Sequence, residues 1–240
     1  MSMRSTLLLR LAAPMQSWGS SGGKFDHRPT ENEPTRSGII GMLAGALGFD
    51  REHSLDSFEK LKIGVRIDQI GKQERDFHMV HRYNPKTKKE ESSWVTYRYY
   101  LCDAIFLVGI EGEENFLRKI MEALQSPVYP LYLGRRSCPP EGQVVLGIRT
   151  GLGLQQGLKE EPWIAQEWYK RKTTSNFLEI VRDTFEEESA TSISRDNPVS
   201  FSQKHRKYKL RGVIRDRRAV KIDSLRDDLE IQTSHDPLEF

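Results

Sequence analysis

The sequence predicts an α+β fold: a ferredoxin-like antiparallel sheet with two helices, a protruding β-hairpin and a small C-terminal layer. Three observations carry that prediction. The run Leu7-Leu8-Leu9-Arg10-Leu11-Ala12-Ala13 is almost continuously apolar and stops at Pro14, as a buried strand does. Phe116, Leu117, Ile120, Met121 and Leu124 recur at helical spacing, which predicts a helix over 114–124. Two alternating segments, 76–83 and 94–100, flank a polar tip that contains Pro85, Lys86, Lys88 and Lys89, the pattern of a long hairpin or arm.

Taken in order, the first strand opens into a loop carrying Gln16, Trp18, Gly19, Gly22, Gly23 and Lys24. Thr35 or Ser37 then serves as N-cap of a helix running to about Leu47, with Gly48 as its stop. Gly41 and Gly45 share a face of that helix, where each costs up to about 1 kcal/mol relative to alanine. Either the helix packs tightly on the sheet there, or a nucleic-acid backbone approaches its N-terminal end. Ser54 caps a second, short helix through Phe58 and Leu61, and Lys62 to Asp68 alternates as a strand. After the arm, 103–110 reads as a core strand, 126–137 as a turn-rich stretch, and 143–148 as a last strand. The elements thus run β-α-β, arm, β-α-β. From 150 to 190 the pattern weakens to isolated apolar anchors, Trp163, Trp168, Phe177, Ile180 and Val181, with Gly151, Gly153 and Gly157 marking a loop.

A chain of 240 residues buries a substantial core without covalent staples. Its two cysteines, Cys102 and Cys138, have neither CxxC nor metal-type spacing, and no apolar run is long enough for a membrane span. A cytoplasmic protein that meets no membrane is expected. The net charge is only +3, but it is segregated. Between Lys204 and Lys221 nine Lys or Arg face one acid, Asp216, whereas 222–240 holds six acids against Arg226. Cations interleaved with His205 and Tyr208 fit a polyanion, RNA above all, because RNA readers combine charge with stacking.

No Walker loop, GxGxxG, HExxH or nucleophile elbow occurs. His78 and His81 are three apart in an alternating strand and so point to opposite faces, which is wrong for one metal ion. Metal-free RNA cleavage needs only a base near a 2′-OH and a cation, for which His78, Tyr83, His27 and Lys24 are the available groups; nothing in their spacing makes them converge. Arg135-Arg136-Ser137, after Gly134 in a Pro-rich turn, suits consecutive phosphates. Trp18 is open to two readings, a stacking platform or a core plug.

The segments LLLRLAAPMQSWG, RPTENEPTRSGIIGMLAGALG, DFHMV followed by YRYYLCDAIFLV, YPLYLGRRSCPP and NPVSFSQKHRKYKLRGV, in this order, resemble the CasD family, the RAMP-type subunits of the type I-E CRISPR surveillance complex Cascade. The resemblance implies a RAMP/RRM-like ferredoxin domain over 1–149 with a thumb hairpin at about 72–100, and a small C-terminal β layer with an acidic tail over 150–240. It implies a subunit that caps the 5′ handle of crRNA, sets its thumb near the handle–spacer junction, and contacts the large subunit and a backbone subunit. Target DNA is met only through the complex. Catalysis, metal and cofactor are not expected. The type I-C relative cleaves repeat RNA, so a metal-independent endoribonuclease is the alternative. The residues expected to contact RNA are Gln16, Ser17, Trp18, Arg28, Thr35, Arg36, Ser37, Gly38, His78, Arg98, Arg135, Arg136, Ser137, Arg206, Lys207, Tyr208 and Arg211.

Overall fold

The computed structural model describes residues 4–19, 24–186 and 188–222; Gly22, Gly23 and the acidic tail from Asp223 lie outside them. In chain order the elements are β1 (Arg4–Ala12), β2 (Met15–Gln16), β3 (Trp18–Gly19), β4 (His27–Arg28), β5 (Thr30–Glu31), α1 (Arg36–Ala46), β6 (Lys62–Gln69), β7 (Lys72–Tyr83) and β8 (Glu90–Cys102). They continue with β9 (Ile105–Glu113), α2 (Glu114–Gln125), β10 (Val145–Arg149), α3 (Leu154–Glu160), α4 (Glu167–Lys172), β11 (Phe177–Asp183), β12 (Ser192–Ser200) and β13 (Lys207–Lys221).

Seven strands form one sheet in the order β10-β1-β9-β6-β11-β13-β12, every neighbouring pair antiparallel. Because β1 is covered on both faces, its sequence is continuously apolar rather than alternating. Leu7, Leu9 and Leu11 pack with α1 and α2, while Leu8 joins Leu107, Leu154 and Leu158 on the other side. The C-terminal strands therefore prolong the same sheet at β6 instead of forming a separate small layer.

Two helices, α3 and α4, and strand β11 stand within the stretch from 150 to 190 where the sequence pattern weakens. The reason is tertiary. Gly64 and Gly109 sit opposite each other in β6 and β9, and a Cβ on either would meet Leu158 or Leu154 at 2.8 Å. Their missing side chains open a trough that the leucines of α3 fill. The end of α3 is then held by the fully buried Arg66, which pairs with Asp68 at 2.7 Å and donates to the carbonyls of Leu158, Glu161 and Pro162. These donors satisfy carbonyls that a helix end leaves without partners.

Other expectations hold or shrink. α1 begins at the N-cap Thr35, whose hydroxyl accepts from the Gly38 N–H at 3.2 Å, and the chain leaves it at Gly48, with φ of +79°. The helix expected after Ser54 reduces to a single 3₁₀ turn, Asp56–Phe58. The arm is a hairpin longer than its sequence pattern, laddered from Lys72 opposite Cys102 to Tyr83 opposite Glu90.

Candidate nucleic-acid interface

The loop after β1 does not offer its side chains to a ligand. Trp18 has no exposed surface and lies under α1, where a Cβ on Gly38 would come within 2.8 Å of its ring. Its indole N–H donates to Gln16 Oε1 at 3.1 Å, and Gln16, equally buried, donates to the Ala104 carbonyl at 2.7 Å. Ser17 donates through Oγ to the Tyr99 carbonyl and through its backbone N–H to the Leu133 carbonyl. The expectation of RNA contact by Gln16, Ser17 and Trp18 is thus corrected: they are a buried hydrogen-bonded peg. Trp18 is the core plug.

Arg36 and Arg211 are corrected in the same way. Arg36 is buried, pairs with Asp183 at 2.5 Å, and donates to Asn197 Oδ1 and the Phe58 carbonyl. Arg211 pairs with Asp183 and Asp196, each at 2.6 Å. Burial lowers the Arg36 guanidinium below its usual range despite Asp183. Burial alone would raise Asp196, but the Arg211 hydrogen bonds and charge, with the Arg36 backbone N–H, hold it below the ordinary aspartate value. These charges neutralise one another and fix the start of α1 to β12 and β13. Thr35 is spent as the N-cap, and half-buried Gly38 covers Trp18, while Ser37 remains half-exposed. Gly41 and Gly45 do not pack on the sheet: Gly41 meets only the Phe201 ring at 3.7 Å, and a Cβ on Gly45 would touch nothing.

What the buried peg does is aim other groups. The segment 131–138 docks on it through Leu133, and Gly134, with φ of +85°, brings its backbone so close that a Cβ would sit 1.6 Å from the Ser17 carbonyl oxygen. This delivers Arg135 over the ring of Tyr100, 4.5 Å from its centroid, with Nη2 donating to the Arg28 carbonyl at 3.1 Å. In the second sheet Arg28 of β4 is in register with Arg98 of β8, and Arg98 faces Asp76 of β7. Paired residues share a face and alternate ones return to it, so Arg28, Arg98, Tyr100 and His78 lie on one side, where Arg135 joins them. Among the described residues, Arg98 Nε and Arg135 Nη1 are buried and have no hydrogen-bond partner. Arg136 and Ser137 are exposed on the same loop.

The other side of the hairpin base carries His27, whose ring is 5.1 Å from that of Tyr97 and 6.2 Å from that of Tyr99, and Arg75, 4.9 Å from the Tyr97 centroid. Arg75, Tyr97 and Tyr100 were missing from the expected set, although the alternation Tyr97-Arg98-Tyr99-Tyr100 signals a strand with cations and rings on its two faces. His78 sits 2.7 Å from Asp76. His27 and His78 are on opposite faces, and Tyr83 is five positions along β7 from His78, roughly 17 Å away. His27, His78 and Tyr83 are thus held apart, whereas the Lys24 N–H donates to the His27 carbonyl at 2.7 Å. Arg206 and Lys207 are exposed and Tyr208 half-buried at the β12–β13 turn, and β12 of that hairpin packs against α1.

Residues 6–214 match the family described as CRISPR-associated protein (Cas_Cas5). The chain belongs to this family. A curated relative, the CRISPR system Cascade subunit CasD of Escherichia coli (strain K12), is 33% identical over 82% of this chain and 90% of its own length. A solved CRISPR RNA-guided surveillance complex contains a chain 32% identical to this one, with a TM-score of 0.75 over 92% of each. A solved Cas protein gives 33% identity and a TM-score of 0.67 over 90% of this chain and 97% of that one. The Cas_Cas5 match takes in all three clustered arginines and the whole hairpin and ends before Arg215. Within this Cas_Cas5 chain, among the described residues, no three His, Cys, Asp or Glu gather to hold a metal ion, and no helix is long and apolar enough to cross a membrane.

Proposed function

We propose that this protein is a non-catalytic, RNA-binding subunit of a type I-E Cascade complex that clasps the 5′ handle of crRNA, with the β7–β8 hairpin as a thumb near the handle–spacer junction. The observation that carries the reading is the pair of buried, unpartnered guanidinium nitrogens, Arg98 Nε and Arg135 Nη1, on one face with Arg28 and Tyr100. A charged N–H buried without an acceptor costs about 1–3 kcal/mol or more, and turning either half-buried guanidinium toward a phosphate oxygen supplies the missing acceptor in a charge-assisted hydrogen bond. The contact of Arg135 with Tyr100 holds its planar fork in one orientation, which suits backbone phosphates more than a fluctuating surface cation would.

The family membership and the likeness to a Cascade subunit support a place beside a backbone subunit and the large subunit, with target DNA met through the complex. The β10-β1-β9-β6 part of the sheet, with α1 and α2 on one face, supports reading 1–149 as a ferredoxin-like, RAMP-type domain. The separation of His27, His78 and Tyr83 supports a subunit that holds RNA without cutting it.

The test is binding of a handle-bearing guide RNA to the assembled complex across a salt series. Replacing Arg98 and Arg135 together by alanine should weaken binding and reduce the slope of log affinity against log salt by about one to two, since each lost single-strand phosphate contact is worth roughly 0.7. Unchanged affinity and slope would remove this face from the site.

A further inference from the structure

A second group of basic and aromatic residues stands on elements other than those that carry the arginine cluster, where β6, α4, β11 and β13 meet. Trp168 and Phe177, expected as apolar anchors, are only partly covered: they are 47% and 36% exposed, and Ile70 is 71% exposed. Continuing the antiparallel register of Glu179 with Ile67 sets Phe177 opposite Gln69, one residue from Ile70. The Ile70 N–H donates to the Tyr169 hydroxyl at 3.2 Å, and the Trp168 ring stands edge-on to Tyr169 at 5.8 Å. Trp168 and Phe177 thus belong to the two elements, α4 and β11, that meet the chain at Ile70.

Each ring has its own cation. Lys172 Nζ lies 5.7 Å from the Trp168 centroid, and the Arg218 guanidinium lies 5.7 Å from that of Phe177. Arg218 is presented by an irregularity in the ladder. Leu178 pairs with Val220 and Ile180 with Asp216, so 217–219 oppose the single residue Glu179, and Arg217 and Arg218 are exposed there. Bulges of this kind re-aim side chains and concentrate beside functional sites. Both arginines also lie beyond the stretch matched by the family, which ends at 214.

We infer that Trp168 and Phe177, with Lys172, Arg217 and Arg218, form a second nucleic-acid site that binds an unpaired polynucleotide by stacking bases on the two rings and pairing its phosphates with the cations. Exposed aromatic rings with interleaved cations suit this ligand because every base has a stacking face, while the phosphates repeat along the strand. RNA and DNA single strands share that chemistry, and the sugar distinguishes them.

The site is tested by fluorescence anisotropy of labelled twelve-nucleotide oligo(U) and oligo(dT) on the whole chain carrying Arg98→Ala and Arg135→Ala, which weakens the first cluster. Adding Trp168→Ala with Phe177→Ala should raise Kd for either oligonucleotide at least about tenfold, within the range expected for lost base stacking. Trp168→Phe should retain most of the binding, which separates loss of stacking from misfolding. Arg218→Ala should lower the salt slope by about 0.7. Preference for oligo(U) would identify RNA as the ligand, and equal binding an unpaired strand of either kind. Failure of the parent to bind either oligonucleotide, or equal affinity with and without the two rings, overturns the second site and leaves the handle reading untouched.

Discussion

Arg36 and Arg211 grip the two oxygens of one carboxylate: Arg36 Nη1 reaches Asp183 Oδ2 at 2.5 Å, and Arg211 Nη1 reaches Asp183 Oδ1 at 2.6 Å. Arg36 begins α1, Asp183 ends β11 and Arg211 lies in β13, so a single acid ties the first helix to the last strands. Asp183→Ala leaves two buried guanidinium groups short of a counter-charge and should lower the unfolding free energy by about 3–5 kcal/mol. Denaturant unfolding checks this. Arg211→Ala should likewise act on stability; a variant of normal stability that had lost only RNA affinity would return Arg211 to the interface.

The second prediction concerns Trp18. Trp18→Ala empties a fully buried site beneath α1 and should cost about 3–5 kcal/mol in thermal or denaturant unfolding. Gly38→Ala gains about 1 kcal/mol of helix propensity but pushes a Cβ to 2.8 Å from the indole, so its net effect should be a destabilisation of about 1–3 kcal/mol. A stabilised Gly38→Ala protein would contradict the packing described.

Gly134→Ala is the test of how the arginine loop is aimed. Its positive φ and the 1.6 Å approach to the Ser17 carbonyl leave no room for a methyl group. The variant should lose handle affinity to the level of Arg135→Ala although no cation has been removed, as an RNA-binding titration would record. Retained affinity would mean that Arg135 does not depend on this docking.

Acid should loosen the C-terminal half first. Hydrogen bonds from Arg182, then the Phe185 N–H, hold Glu188 down at about 2, and Asp196 also lies below its ordinary value. A carboxylate depressed by folding contributes stability that is complete above its unfolded value, near 4.5 for glutamate, and is lost as pH falls through the folded value. Unfolding free energy should therefore be level at neutral pH and decline from about pH 5 toward pH 2. Glu188→Gln should make that decline shallower; an equally steep profile would exclude Glu188 as its source.

Repeat RNA incubated with the full-length protein in EDTA should remain intact, because His27, His78 and Tyr83 do not meet. Sustained, sequence-specific cutting abolished by His78→Ala would instead establish the endoribonuclease alternative.

The strands and helices with a strong local period were legible: β1 from its apolar run, α2 from its apolar stripe, the hairpin from its alternating arms, and α1 from the Thr35 cap and the Gly48 exit. α3 was not, since Gly157 reads as a loop until Gly64 and Gly109 are seen to open a trough for Leu154 and Leu158. The candidate site divides in the same way. Arg28, Arg98 and Arg135 could be selected as cations, but so could Arg36 and Arg211, which residue type alone does not separate.

By itself the amino-acid order determined the strands and helices of strong local period and which residues carry charge, because hydrophobic period and capping act over a few neighbours. Tertiary structure alone decided which charges remain available. Asp183 and Asp196, about 150 residues from Arg36, neutralise it, whereas among the described residues none accepts a hydrogen bond from Arg98 Nε or Arg135 Nη1. Electrostatic pairing depends on distance in space, and the folded chain alone sets that distance.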